Sequence, residues 1–295
     1  MTARFGSVIT AMVTPFDDSG ALNVDAAVKL AKWLTENGSD GLVLAGTTGE
    51  GPVLSDDEDV ELWRSVAEAV TVPVVAGTGT NDTRHTIELT KQAEQCGVDG
   101  ILVVTPYYNR PPQTGLEAHF RAVAAETKLP VLIYDIPIRT GRRVARETFV
   151  RLSDVGNIVG VKDAALDVAG SAQLRAAMPE SFEIYSGNDD QTLALMATAG
   201  AVGVISVAAH WVGVHMAEMV AAVEKGDLAH AREVDRRLQA SYDFETSEAA
   251  PNPIPTKAMM RVMGHPVGQC RLPMGPAPAG LEDEARRVLN QLQRG

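Results

Sequence analysis

The feature that most constrains this chain is a unit repeated along most of its length: a short β-branched run, a loop carrying Gly, Pro or Thr, then an amphipathic stretch. Eight such runs stand out, at Ser7–Thr14, Gly41–Ala45, Val72–Ala76, Gly100–Thr105, Val131–Tyr134, Asn157–Lys162, Phe182–Tyr185 and Val202–Val207. Runs such as Ile101-Leu102-Val103-Val104 and Val131-Leu132-Ile133 are apolar on both faces, as a parallel sheet covered on both sides requires. Helical signals lie between them. Ser55-Asp56-Asp57-Glu58 ahead of Val60, Leu62, Trp63 and Val66 reads as a capping box opening a helix, and Gly97 stops a second helix over residues 81–96. Eight β/α units predict a (β/α)8 barrel of the α/β class. An open doubly wound sheet is the rival, but it normally has fewer strands and a nucleotide fingerprint at a helix start. That fingerprint is missing: no Gly-Lys-Ser/Thr follows Thr47-Thr48, and Gly77-Thr78-Gly79 lacks the third glycine of a dinucleotide loop.

Beyond Val207 no further strand is evident, and the remainder reads as helices interrupted by Pro251-Asn252-Pro253-Ile254-Pro255. The expected organisation is a catalytic barrel over residues 1–211 and a C-terminal helical region over residues 212–295. No Gly/Ser-rich or charged linker separates them, so the two are expected to pack as one unit.

Charge and composition narrow the function. With 38 Asp and Glu against 26 Lys and Arg, the net charge of -12 opposes a polyanion, so neither nucleic acid nor an anionic membrane is expected as a partner. No apolar run approaches a bilayer span, and the first residues lack a secretory-signal pattern. Cys96 and Cys270 show no spacing that suggests a disulfide framework or a zinc site. A reduced, cytoplasmic setting is the expectation.

Chemistry in such a barrel sits at the C-terminal ends of the strands, and here those ends are rich in hydroxyls. Lys162 ends the apolar strand Ile158-Val159-Gly160-Val161, where desolvation would favour a free amine able to attack a carbonyl; an ion pair with a nearby acid is the open alternative. Arg139, after Pro137, can hold a carboxylate by a bidentate pair, or can simply cap a surface loop. Tyr134 and Tyr108 offer phenols for proton transfer, or wall residues with satisfied hydroxyls. Thr47 and Thr48 occupy a Gly-flanked turn whose backbone N–H groups can meet an anion. His210 and His215 are five apart, which does not place two imidazoles on one helix face for zinc. Neither a metal nor a cofactor is expected.

The motifs GTTGEGP at 46–52, VTPYYNRPP at 104–112, YDIPIRTG at 134–141, GVKDA at 160–164, SGNDD at 186–190, GVISV at 203–207, NPIPTK at 252–257 and RLP at 271–273 are collinear. Together they resemble the dihydrodipicolinate synthases, within the pyruvate-dependent Schiff-base aldolases and lyases. The resemblance implies that Lys162 condenses with pyruvate and that Thr48, Tyr134 and Tyr108 form a proton relay, Tyr108 reaching into a partner subunit across a tight dimer interface. It implies that Thr47 and Thr48 help bind the pyruvate carboxylate, that Ile205 lines the pyruvate pocket through its backbone, and that Arg139 holds the second substrate. Gly187 and Asn252 fall near that second-substrate region. The implied reaction joins pyruvate to L-aspartate-4-semialdehyde, giving 4-hydroxy-tetrahydrodipicolinate in diaminopimelate and lysine biosynthesis, in a homo-oligomer built as a tight dimer or a dimer of dimers.

Departures from the pattern touch specificity. Ile138 stands where a small polar residue is frequent, Asp135 replaces a frequent Asn, and His210 stands where many relatives carry Asn. Rival functions are N-acetylneuraminate lyase or a 2-keto-3-deoxy sugar-acid aldolase, and, in another class, a barrel that binds ligand without catalysis. In lysine-inhibited relatives a His and a Glu occupy the positions of Asp59 and His85 here; Asn81 and Tyr107 match the effector-binding pattern. Lysine feedback is therefore expected to be weak or absent.

Overall fold

Eight parallel strands close into a barrel in sequence order: β1 (Val8–Ala11), β2 (Gly41–Leu44), β3 (Val74–Gly77), β4 (Gly100–Val104), β5 (Val131–Asp135), β6 (Ile158–Asp163), β7 (Glu183–Ser186) and β8 (Gly203–Ser206). The ring closes where Ile9 of β1 faces both Gly41 of β2 and Ile205 of β8. These positions come from a computed structural model that describes residues 3–293. All eight expected strands are present, most of them shorter than the apolar runs suggested.

Among the described residues the α-helices are α1 (Val24–Glu36), α2 (Asp56–Ala67), α3 (Thr83–Glu94), α4 (Gln113–Ala125), α5 (Pro137–Thr140), α6 (Arg146–Leu152), α7 (Val168–Ala177), α8 (Thr192–Ala199), α9 (Ala209–Glu224), α10 (Leu228–Phe244), α11 (Ile254–Val262) and α12 (Leu281–Leu292). The Ser55 capping box opens α2 as expected, with the Ser55 hydroxyl accepting from the Glu58 amide and the Glu58 carboxylate accepting from the Ser55 amide. Asp82 caps α3 through its side chain, and Gly97 follows that helix with a left-handed φ of 79°.

Two cores explain the unbroken apolar runs. Leu132 and Tyr134 of β5 point into the barrel with Ile9, Val43, Val75 and Leu102, whereas Val131 and Ile133 point outward to the layer shared with the helices. Each strand face is thus buried, one by the barrel interior and one by helices.

The boundary expected after residue 211 falls inside α9, which kinks at Val212 but continues to Glu224. This helix packs on β1 and β8 as the eighth barrel helix, and α10 in turn packs on it. The C-terminal region then returns to the face formed by the C-terminal ends of the strands. Lys257 of α11, wholly buried, pairs with Glu50 at 2.6 Å, and the Arg271 amide donates to the other Glu50 carboxylate oxygen at 2.8 Å. Lys257 and Arg271 both lie over the Phe16 ring, at 4.0 and 4.1 Å from its centroid. The turn after β2 is thereby tied to the end of the chain, and the two expected regions share one core.

Candidate active site

The C-terminal ends of β2 to β5 open into a cavity of about 370 Å³ whose wall includes Thr47, Thr80, Tyr107, Tyr134, Arg139 and Asn252. Lys162 is not among the lining residues but lies beside one of them, Tyr134. It pairs in register with Tyr134 on β5 and Tyr185 on β7, so its side chain shares the inward face of Tyr134. The residue is only 5% exposed, and Nζ lies 4.3 Å from the centroid of the Tyr134 ring.

Ion pairs are numerous elsewhere on the molecule, yet none of those found among the described residues involves Lys162. Burial lowers its amine to about 8; the charge of Asp189 opposes that shift, while Arg139 adds to it. An amine in that range is available as a free base near neutral pH, the state nucleophilic attack requires. The same burial pushes the Tyr134 phenol up to about 12, opposed by Arg139 and by a hydrogen bond with Thr47. The Tyr134 phenol is therefore protonated near neutral pH.

The two threonines of the turn part company. Thr47 lines the cavity together with Tyr134, whereas the Thr48 hydroxyl accepts from Asn252 Nδ2 at 2.9 Å. Asn252 is held in turn by the Thr256 hydroxyl, which donates to its Oδ1 at 2.9 Å. Thr48, the threonine expected in the relay, thus meets Asn252 here. Adjacent residues in a turn send their side chains in different directions, and sequence alone does not rank them.

Arg139 lies in the single turn of α5 and lines the cavity; its Nη2 reaches the Asn252 carbonyl at 3.5 Å. Ile205 is buried in the barrel interior, on the closing strand pair. The Gly187 amide donates to the Asp163 carbonyl at 2.8 Å, and a Cβ there would stand 2.8 Å from the Ala164 Cβ. Its glycine is explained by close packing at the strand end.

Tyr108 does not enter this chain's own cavity. It is 89% exposed and adopts a left-handed φ of 71°, a conformation that costs a non-glycine residue about 1–3 kcal/mol and is concentrated at functional positions. His210, by contrast, is a structural residue: its Nε2 accepts from the Val13 amide at 3.1 Å and its Nδ1–H donates to the Val207 carbonyl at 2.8 Å.

An amine freed by burial, beside a protonated phenol at the mouth of a closed parallel barrel, can add to a carbonyl and shed water. Fold and site together define the class: a lysine-based, carbonyl-condensing barrel. Residues 4–292 match the dihydrodipicolinate synthetase family, and the chain belongs to it. It is 45% identical to the 4-hydroxy-tetrahydrodipicolinate synthase of Thermosynechococcus vestitus, over 98% of this chain and 97% of that one. Among solved structures it resembles a dihydrodipicolinate synthase from Bacillus anthracis (41% identity, TM-score 0.93, covering 98% and 99% of the two chains). It also resembles the enzyme from Cyanidioschyzon merolae with lysine bound (40% identity, TM-score 0.94, covering 98% of each).

Proposed function

We propose that this protein is a lyase that condenses pyruvate with L-aspartate-4-semialdehyde to give 4-hydroxy-tetrahydrodipicolinate, on the route to diaminopimelate and lysine. The observation that carries the reading is the buried, unpaired Lys162 amine above the Tyr134 ring. The free amine adds to the pyruvate ketone, and loss of water gives an imine that is protonated at nitrogen. The iminium is an electron sink, so C3 of bound pyruvate loses a proton and becomes an enamine. The enamine carbon attacks the aldehyde, whose oxygen takes up a proton. The amine of the second substrate then attacks the former ketone carbon, and Lys162 leaves as the ring closes.

Tyr134 and Thr47 pass the protons these steps exchange, and Tyr108 is the third member of the relay, contributed by a partner subunit. Its exposure and left-handed backbone support a side chain held out from its own chain for that purpose. Thr48, fixed by Asn252, orients the turn whose N–H groups receive the pyruvate carboxylate, and Ile205 lines the pyruvate pocket. Arg139 holds the carboxylate of the second substrate; Asn252 anchors that guanidinium through its carbonyl, and Gly187 keeps the end of β7 close. The assembly is a tight homodimer that pairs into a dimer of dimers, working without a cofactor in the cytoplasm, a setting consistent with the free, buried Cys96 and Cys270.

A competition assay tests the choice of substrate. With pyruvate saturating, aspartate semialdehyde is expected to turn over while N-acetylmannosamine and glyceraldehyde do not. Arg139→Ala should cost about 1.5–3 kcal/mol in kcat/KM for aspartate semialdehyde, the scale of a hydrogen bond to a charged group, with pyruvate imine formation largely retained. Turnover of the sugar aldehydes in preference to aspartate semialdehyde would assign the protein to the sugar-acid aldolases instead.

A further inference from the structure

On the turn after β7, the strand that pairs with Lys162 through Tyr185, begins a group of acids to which the condensation steps above assign no role. Asp189 begins the short 3-10 turn after β7 and is 2% exposed. Its Oδ2 accepts from the backbone amides of Val207 at 2.9 Å and Ala208 at 2.8 Å, two donors that favour the anion. Its Oδ1 is buried and has no donor among the described residues. Glu245 caps α10, which packs on that same turn. The Glu245 Oε2 and the neighbouring Tyr242 hydroxyl are likewise buried without a partner.

Unpartnered buried polar oxygens are costly, and here two of them belong to carboxyl groups on elements that pack together, the turn after β7 and the end of α10. Two carboxylates in one buried site cannot both be ionised, and a single shared proton satisfies both orphan oxygens at once. We propose that Asp189 and Glu245 share one proton and present the Lys162 amine with a single negative charge, Asp189 carrying that charge and Glu245 acting on the amine only through Asp189. Glu245 is thus a positioning residue for the condensation. The inference rests on the reading of Lys162 as the nucleophile.

The surroundings agree on which partner keeps the proton. Burial first, then the charge of Asp189, pushes the Glu245 carboxyl well above the ordinary carboxylate range. The groups facing the amine from the other elements are Tyr134 on β5 and Arg139 on α5. Asp190 on the turn, with Tyr242 and Asp235 on α10, surrounds the acid pair, and burial raises all three. Without one anion close by, a buried amine between Arg139 and the barrel wall would lose its proton at a lower pH still.

The test is the pH dependence of pyruvate trapping by borohydride, read as the adduct on Lys162 in the intact enzyme. Asp189→Asn removes the charge and should move the midpoint acidward by about one pH unit. Glu245→Gln replaces a neutral donor with a neutral donor and should leave the midpoint where the wild type has it. An acidward shift in Glu245→Gln as large as in Asp189→Asn would show that Glu245 carries charge, and an unmoved midpoint in Asp189→Asn would show that the pair does not act on the amine; either overturns the proposal.

If Asp189→Asn does not fold, infrared difference spectroscopy decides. A protonated-carboxyl C=O stretch present in the wild type at neutral pH should vanish in Glu245→Gln, and persistence of the same band in that variant would contradict the shared proton. A wild-type protein that forms no adduct on Lys162 would instead overturn the nucleophile reading itself, an outcome the infrared band does not depend on.

Discussion

Lys162, the proposed nucleophile, lies in the barrel beside Tyr134 because its β6 register sends it there. Its amine is protonated below about 8 and free above, so pyruvate trapping at subsaturating pyruvate should rise with pH through that value; stopped-time borohydride quenches would measure it. Thr47 lines the cavity together with the Tyr134 phenol, whereas Thr48 meets Asn252. Thr47→Val should therefore lower kcat by about 10²-fold or more, the usual worth of a positioned proton carrier, and Thr48→Val should act mainly on KM for pyruvate; steady-state kinetics of the two variants separate the roles. The sequence supplied both hydroxyls and the lysine but could not order adjacent threonines in one turn. Asp189 falls within the SGNDD motif, but Glu245 left no local trace, because it comes from the end of a helix far along the chain.

At the scale of elements, β5 and β6 end with Asp135 opposite Asp163. Burial, with the charge of Asp163 adding to it, raises Asp135 to about 7, while the Val144 amide opposes that shift. An acid raised above its unfolded value binds its proton more tightly in the folded state, so its contribution is fully present below about 4 and is lost as pH rises through about 7. Asp135→Asn should accordingly raise the thermal midpoint at pH 8 and change it little at pH 4.5, a comparison that calorimetry makes directly.

The eight strands were legible because each is apolar on both faces. The boundary near residue 211 was not, because α9 serves the barrel and also receives α10, leaving no break in hydrophobicity where the two regions meet. Lysine sensitivity belongs to this scale as well. Asp59 at the start of α2 lines the cavity and is raised to about 8, chiefly by burial. His85 on α3 is engaged with Asp56 at 3.0 Å. Neither offers the arrangement of lysine-inhibited relatives, and activity assays should show little inhibition at millimolar lysine.

For the molecule as a whole, the buried Lys257–Glu50 pair holds the catalytic turn to the C-terminal region. Lys257→Met would strand a buried carboxylate and should destabilise the fold by about 3–5 kcal/mol, with partial recovery in the double variant carrying Glu50→Gln; urea titration would show both. The central claim concerns one nitrogen atom, and mass spectrometry of peptides after borohydride reduction with pyruvate tests it most directly. The adduct is expected on Lys162 alone, and Lys162→Ala should stay folded and take up none. An adduct on any other lysine, or unchanged trapping in Lys162→Ala, would contradict the account.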